Sequence, residues 1–175
     1  MKKHKILLLI CSSLMAVFLH SPPAAAINEV CTAKGAAETQ SSTTQQILCR
    51  AFQEECRSIA LYGAYIRKFG DTRPLSGISS AKRAHGAVLK SLLLKYGWQI
   101  PENTLPKDIV VPDTLLEAYR SGLEREKETI EMYNTFLRYE LPENIKTIFS
   151  VLRTSAANHQ KAFERAIARY EKNRI

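Results

Sequence analysis

The sequence is poor in the residues that mark several functional classes. It has one Trp, seven Gly and seven Pro in 175 residues, too few for a collagenous or low-complexity chain. It contains no Gly-rich phosphate loop, no Cys-x-x-Cys pair and no Gly-x-Ser-x-Gly elbow. Those absences argue against nucleotide hydrolysis, thioredoxin-type chemistry and hydrolase chemistry. No segment alternates apolar and polar residues with period two, as a half-buried strand would. After Leu19 no run is apolar enough to cross a bilayer, which takes about 20 residues. The length itself excludes a large multidomain enzyme and suits one domain.

What the chain does have begins with an address. Lys2, Lys3 and Lys5 precede the apolar run Ile6 to Leu19, then Ser21-Pro22-Pro23 and Ala24-Ala25-Ala26. A charged start, an apolar stretch, a helix breaker and a small-residue site make a secretory signal peptide over residues 1–26. The expected product is exported, periplasmic or extracellular, with no stable membrane insertion after cleavage. Cys11 follows Ile10 where lipidation would need a small residue. Of 25 Lys+Arg, three lie in this segment, leaving 22 basic against 17 acidic groups, a net +5. A surface that mildly basic does not indicate nucleic acid, and none is expected as a partner.

Export places Cys31, Cys49 and Cys56 in an oxidising compartment. Cys49 and Cys56 are seven apart on one expected helix, about 10 Å in rise, beyond the reach of a disulfide. Cys31 can bridge to either, or all three stay free thiols.

Residues 27–41, rich in Ala, Thr, Ser and Gln, lack periodicity and read as a leader. From 42 to 172 the chain alternates helical stretches with clear punctuation. Helix 1 is expected from Ser42, where Ser42-x-x-Gln45 resembles a capping box, to Phe69, stopped by Gly70. Its apolar stripe is Leu48, Phe52, Ile59, Tyr62, Ile66 and Phe69. Helix 2 is expected from Ser76 to Gly97, with Ile78, Leu89, Leu92 and Tyr96 inward. Pro101, Pro106 and Pro112 forbid a helix in the next stretch. Helix 3 begins at Asp113 or Thr114, where Thr114-x-x-Glu117 is another box, and breaks at Leu141-Pro142-Glu143. Pro142 suits the first turn of helix 4, which runs to about Glu171. Short, long and short connections between four helices predict an all-α, antiparallel, ferritin-like four-helix bundle, two hairpins joined by a long crossover.

Each apolar stripe is interrupted by a residue able to ligate a metal. Glu55 falls between Phe52 and Ile59, His85 between Ile78 and Leu89, Glu126 between Leu123 and Ile130, and His159 between Leu152 and Phe163. The hairpins also repeat: Glu55 precedes Tyr62 by seven residues, and Glu126 precedes Tyr133 by seven. Helical rise puts Glu126 and His159 at one depth. Glu55 and His85 are offset by about a turn and a half unless the link after Gly70 is extended. A carboxylate in an apolar seam must be paired, protonated or bound to a cation. A dinuclear site in such a bundle takes Glu-x-x-His from two helices, whereas Lys82 and Ala156 stand three residues before His85 and His159. The pattern therefore suits one ion, such as iron, manganese, zinc or copper, held by Glu55, His85, Glu126 and His159 with Tyr62 and Tyr133 supporting them. Lys82, at the pocket's edge, offers the opposite solution: it can neutralise either glutamate with no metal.

Three stretches resemble a known group. They are Glu54-Glu55-Cys56-Arg57 through Tyr62 with Lys68-Phe69-Gly70-Asp71-Thr72-Arg73-Pro74, Gly122-Leu123-Glu124-Arg125-Glu126 through Met132-Tyr133, and Asn158-His159-Gln160-Lys161-Ala162-Phe163-Glu164-Arg165. Across about residues 45 to 168 the chain is similar to the ferritin-like family catalogued as domain of unknown function 2202. The resemblance implies a ferritin-like bundle, often exported, with Glu55, His85, Glu126 and His159 at positions suited to metal. Members commonly carry Glu-x-x-His in the second helix, where this chain has Lys82-Arg83-Ala84-His85. They usually carry an aromatic where it has Cys56.

Other signals are weaker. Glu124, Glu128 and Glu131 with Arg125 and Lys127 fall off the inward stripe and read as a solvated face. The basic tail with Arg165, Arg169, Lys172 and Arg174 suits a helix C-terminus. Trp98 and the proline-rich crossover form either a binding lip or a cover over the bundle end. Three readings follow: a metal-binding exported bundle that handles metal or stress, a metal-free interaction module, and a di-iron oxidase or ferroxidase. An enzyme is the less expected outcome, and a homodimer is compatible with the fold.

Overall fold

A computed structural model describes residues 39–102 and 109–173, with side chains from residue 42 onward. The signal segment, its cleavage site, Cys31 and most of the leader lie outside the described residues. Four helices follow in order: α1 (Thr39–Phe69), α2 (Leu75–Lys95), α3 (Leu115–Phe136) and α4 (Glu143–Lys172). Among the described residues there is no strand, and no helix is long and apolar enough to cross a membrane.

The punctuation acts mostly as read. Gly70 leaves α1 in the left-handed region at φ 84° and its N–H still bonds the Ile66 carbonyl at 2.9 Å, a stop that glycine makes without strain. The Thr114 hydroxyl accepts from the Glu117 N–H at 3.2 Å, and the Glu117 carboxylate accepts from the Thr114 N–H at 3.1 Å. The other box is corrected. Because α1 already begins at Thr39, Ser42 lies inside the helix and does not cap it. Pro142 occupies the N-cap of α4 instead of its first turn, with φ −54° and ψ 141°. Helix α3 ends at Phe136, short of the Leu141-Pro142 break.

Contacts at the two ends fix the topology. Lys68 Nζ donates to the Pro112 carbonyl at 2.6 Å and Tyr119 OH donates to the Arg73 carbonyl at 3.0 Å, so the start of α3 sits beside the α1–α2 turn. Tyr96 OH donates to Asn144 Oδ1 at 2.9 Å, so the end of α2 meets the start of α4. The end of α2 and the start of α3 therefore lie at opposite ends of the bundle. Trp98 stacks on Tyr96, 4.7 Å between ring centroids, and packs on the core, covering the bundle end. Each hairpin packs tightly within itself, and α1 approaches α3 more closely than α2 approaches α4.

The apolar core has two halves. Leu48, Phe52, Leu89, Leu93, Phe136, Ile145 and Phe149 fill one end, and Tyr65, Leu75, Ile78, Tyr119 and Phe163 fill the other. Between them lies a polar waist. Cys49 is in a disulfide and Cys56 is a free thiol, so the bridge expected at one of the two involves Cys49.

Close packing at the waist's border depends on Gly122, where an added Cβ would meet three carbons of the Phe163 ring at 2.4 to 2.9 Å. Gly122→Ala should therefore destabilise the fold by about 1–3 kcal/mol, against the direction of helix propensity. Urea denaturation followed by circular dichroism checks this, and an unchanged or raised midpoint would contradict the packing described.

A candidate site buried at the waist of the bundle

Helical spacing carries five side chains into the waist. Glu55 is three residues after Phe52, Lys82 four after Ile78, His85 four before Leu89, Glu126 three after Leu123, and His159 four before Phe163. Each thus shares a face with core residues. Glu55, Lys82 and Glu126 are sealed, at 1%, 1% and 0% exposure. The two imidazoles form the outer edge, stacked on each other with ring centroids 6.0 Å apart and planes 21° apart.

At the centre stands Lys82. Its Nζ is 3.2 Å from Glu126 Oε2 and 3.6 Å from Glu55 Oε2. His159 Nδ1 lies 3.3 Å from Glu126 Oε2 and its Nε2 lies 3.3 Å from Ser155 Oγ. His85 Nδ1 lies 3.6 Å from Glu55 Oε2. The tyrosines cross between hairpins: Tyr62 of α1 donates to Glu126 Oε1 at 2.7 Å, and Tyr133 of α3 donates to Glu55 Oε1 at 3.1 Å. The seven-residue repeat thus has a physical meaning, because each glutamate is held by the tyrosine two turns beyond its counterpart.

The two halves are not equally satisfied. Glu126 receives close contacts on both oxygens, whereas Glu55 Oε2 and His85 Nδ1 have no hydrogen bond although both are buried. Burial pushes the Glu126 carboxyl up, but the His159 hydrogen bond, the Lys82 ammonium and the Tyr62 hydroxyl together hold it below the ordinary carboxylate value. Burial pushes the Tyr62 and Tyr133 phenols well above theirs, and the neighbouring glutamates push further. Both phenols therefore keep their protons and donate them to the carboxylates. Burial, with the charge of Glu55, also raises the Cys56 thiol, so Cys56 is a poor thiolate.

All four expected ligands, Glu55, His85, Glu126 and His159, are brought to one place, with Tyr62, Tyr133 and Lys82 beside them. Glu55 and His85 meet, with Oε2 and Nδ1 3.6 Å apart, despite the offset expected between them. Among the described residues, however, no three His, Cys, Asp or Glu side chains converge closely enough to hold a metal ion. The carboxylates turn their Oε2 atoms to the ammonium.

Beside the waist is a contact that helical patterning misplaces. Arg125, expected on a solvated face, reaches across to Glu54 and to Glu128, and Arg50 and Arg57 hold the other Glu54 oxygen at 2.8 and 2.7 Å. Glu54 is only 7% exposed. The available signal was the arginine one turn to either side of Glu54. Glu124, Glu128 and Glu131 are exposed, as read.

Solved structures with the same architecture place the fold. The chain is similar to a hypothetical protein, MJ0754, from Methanococcus jannaschii, at 18% identity and TM-score 0.66, covering 80% of this chain and 87% of that one. It is also similar to the Desulfovibrio desulfuricans bacterioferritin, a protein with a diiron site, at 16% identity and TM-score 0.69, covering 79% and 86%. No family model matches the chain, and no curated protein matches it. Likeness at such low identity establishes the ferritin-like fold and leaves the chemistry to the residues of the waist.

The depressed Glu126 carboxyl sets a pH dependence. In the unfolded chain this group binds a proton near its ordinary value of 4.5, whereas in the fold it stays ionised to lower pH. Its stabilising contribution is present above that value and is lost as pH falls through the folded value. Acid denaturation of wild type and Glu126→Gln should show the wild type losing more stability on acidification below that range. Parallel pH profiles would contradict the assignment.

Proposed function

We propose that this chain is an exported ferritin-like module in which the Lys82 ammonium takes the place that a metal ion would take. It serves binding or architecture and not oxidation. The observation that carries the reading is the position of Lys82 Nζ, within 3.2 and 3.6 Å of both buried glutamates. A divalent ion brought to about 4 Å from that ammonium would meet a repulsion of roughly 8 kcal/mol at an effective dielectric of 20. With the carboxylates already facing a cation, the charge argument for a metal is weakened. Diiron chemistry is further disfavoured by Lys82 and Ala156, which stand where Glu-x-x-His motifs would place carboxylates.

A second reading, one iron, manganese or zinc ion on Glu55, His85, Glu126 and His159, is favoured by one observation. Glu55 Oε2 and His85 Nδ1 are buried without hydrogen bonds, and a cation would satisfy both if Lys82 swung aside. Membership in the family of domain of unknown function 2202 rests on the three quoted strings. Export rests on residues 1–26, and the disulfide at Cys49 supports it; we take Cys31 as the partner.

Metal content per chain, measured by plasma mass spectrometry on protein from the export compartment, separates the two readings. Wild type should hold far less than one transition metal per chain. Lys82→Glu, which restores Glu-x-x-His and removes the buried cation, should gain metal. A stoichiometric ion in wild type, lost in Glu126→Ala, would overturn the metal-free reading.

A further inference from the structure

The backbones of α2 and α4 approach each other less closely than those of the other neighbouring helices, although His85 and His159 stack across the seam. Near the α1–α2 turn the gap widens into a cleft of about 460 Å³, a size that suits a small molecule. Three arginines line it: Arg73, just before α2, and Arg165 and Arg169, one turn apart on α4. His159 lies on the same stripe of α4, deeper in, and Ile78 and Ala162 supply an apolar floor.

The charges in the cleft are of one sign. Among the described residues none of the three arginines pairs with a carboxylate; Asp71, two residues before Arg73, does not line the cleft, and the nearby acids of α4 are engaged elsewhere. Glu164 accepts from Gln160 at 2.8 Å, and Glu171 pairs with Arg120 at 2.7 Å. Three unpaired guanidiniums around one cavity repel one another and concentrate a positive field there. The N-terminus of α2 opens beside them with Pro74 at its cap and no side-chain cap, which adds the positive end of a helix dipole.

We propose that this cleft binds a small phosphate-bearing molecule. A guanidinium fork matches the oxygens of a carboxylate or a phosphate. One carboxylate has two oxygens and a single charge, which one fork saturates. A phosphate offers three oxygens and about −1.5 to −2 charge, which suits a cleft lined by three guanidiniums. Ile78 and Ala162 would face whatever the phosphate is esterified to. The inference does not depend on whether the waist holds a metal, since the three arginines lie outside that cluster.

The test is calorimetric titration of the mature full-length chain with inorganic phosphate and, separately, with phenyl phosphate, at constant ionic strength. Saturable one-site binding is expected, weakened at least about tenfold by combining Arg165→Ala with Arg169→Ala, since charge-assisted hydrogen bonds contribute about 1.5–3 kcal/mol each. Combining Lys161→Ala with Lys172→Ala removes the same charge outside the cleft and should leave binding unchanged. Equal affinity for the two probes would identify a free anion as the ligand, and tighter phenyl phosphate would identify an ester. The proposal is overturned if neither probe saturates, or if both double variants weaken binding alike.

Discussion

The Lys82 ammonium, buried between the carboxylates of Glu55 and Glu126, is the contact on which the interior of this bundle depends. Two glutamates on facing helices, both almost fully sealed from solvent, would repel each other across the waist and forfeit their hydration. One cation between them answers both costs. It comes from α2, so the same contact ties α1, α2 and α3 together where the apolar core is interrupted. The two hairpins, which meet only weakly through the backbone proximity of α1 and α3, are thus joined by charge.

Around that contact the bundle shows an approximate twofold repeat, with a deliberate-looking flaw. Each glutamate takes a tyrosine from the opposite hairpin and a histidine from its own. A lysine, being single, cannot obey the symmetry. It leans to Glu126, and Glu55 with His85 is left undersatisfied. The imidazoles sit at the rim, and His159 also lines the arginine cleft. The buried network and the outer cleft therefore share a residue.

Much of this was legible in the sequence because helical spacing is a strong signal. The heptad separations Glu55–Tyr62 and Glu126–Tyr133, and the short-long-short connections, carry the fold and four of the waist's residues by pattern alone. The centre of the site was harder to see. Lys82 lies on the same face as Ile78 and Leu89, but a long flexible side chain does not announce whether it snorkels outward or turns inward. Only the packing of α1 and α3 against α2 decides that. Arg125 was misplaced for a related reason, since it sits off the stripe yet reaches across to Glu54. The box at Ser42 failed because the helix-compatible residues from Thr39 extend α1 past it. The arginine cleft needs two segments distant in sequence, Arg73 and the pair Arg165 and Arg169, so no local pattern contains it.

The central claim is that Lys82 is held in the waist by both glutamates, and a stability cycle tests it most directly. The denaturation free energy would be measured for wild type, for Lys82→Met, and for Lys82→Met combined with Glu55→Gln and Glu126→Gln. The single change should cost about 3–5 kcal/mol, because it strands two buried carboxylates, and neutralising both glutamates should recover most of that loss. A Lys82→Met protein as stable as wild type, or one that the two glutamine changes destabilise further, would contradict the account.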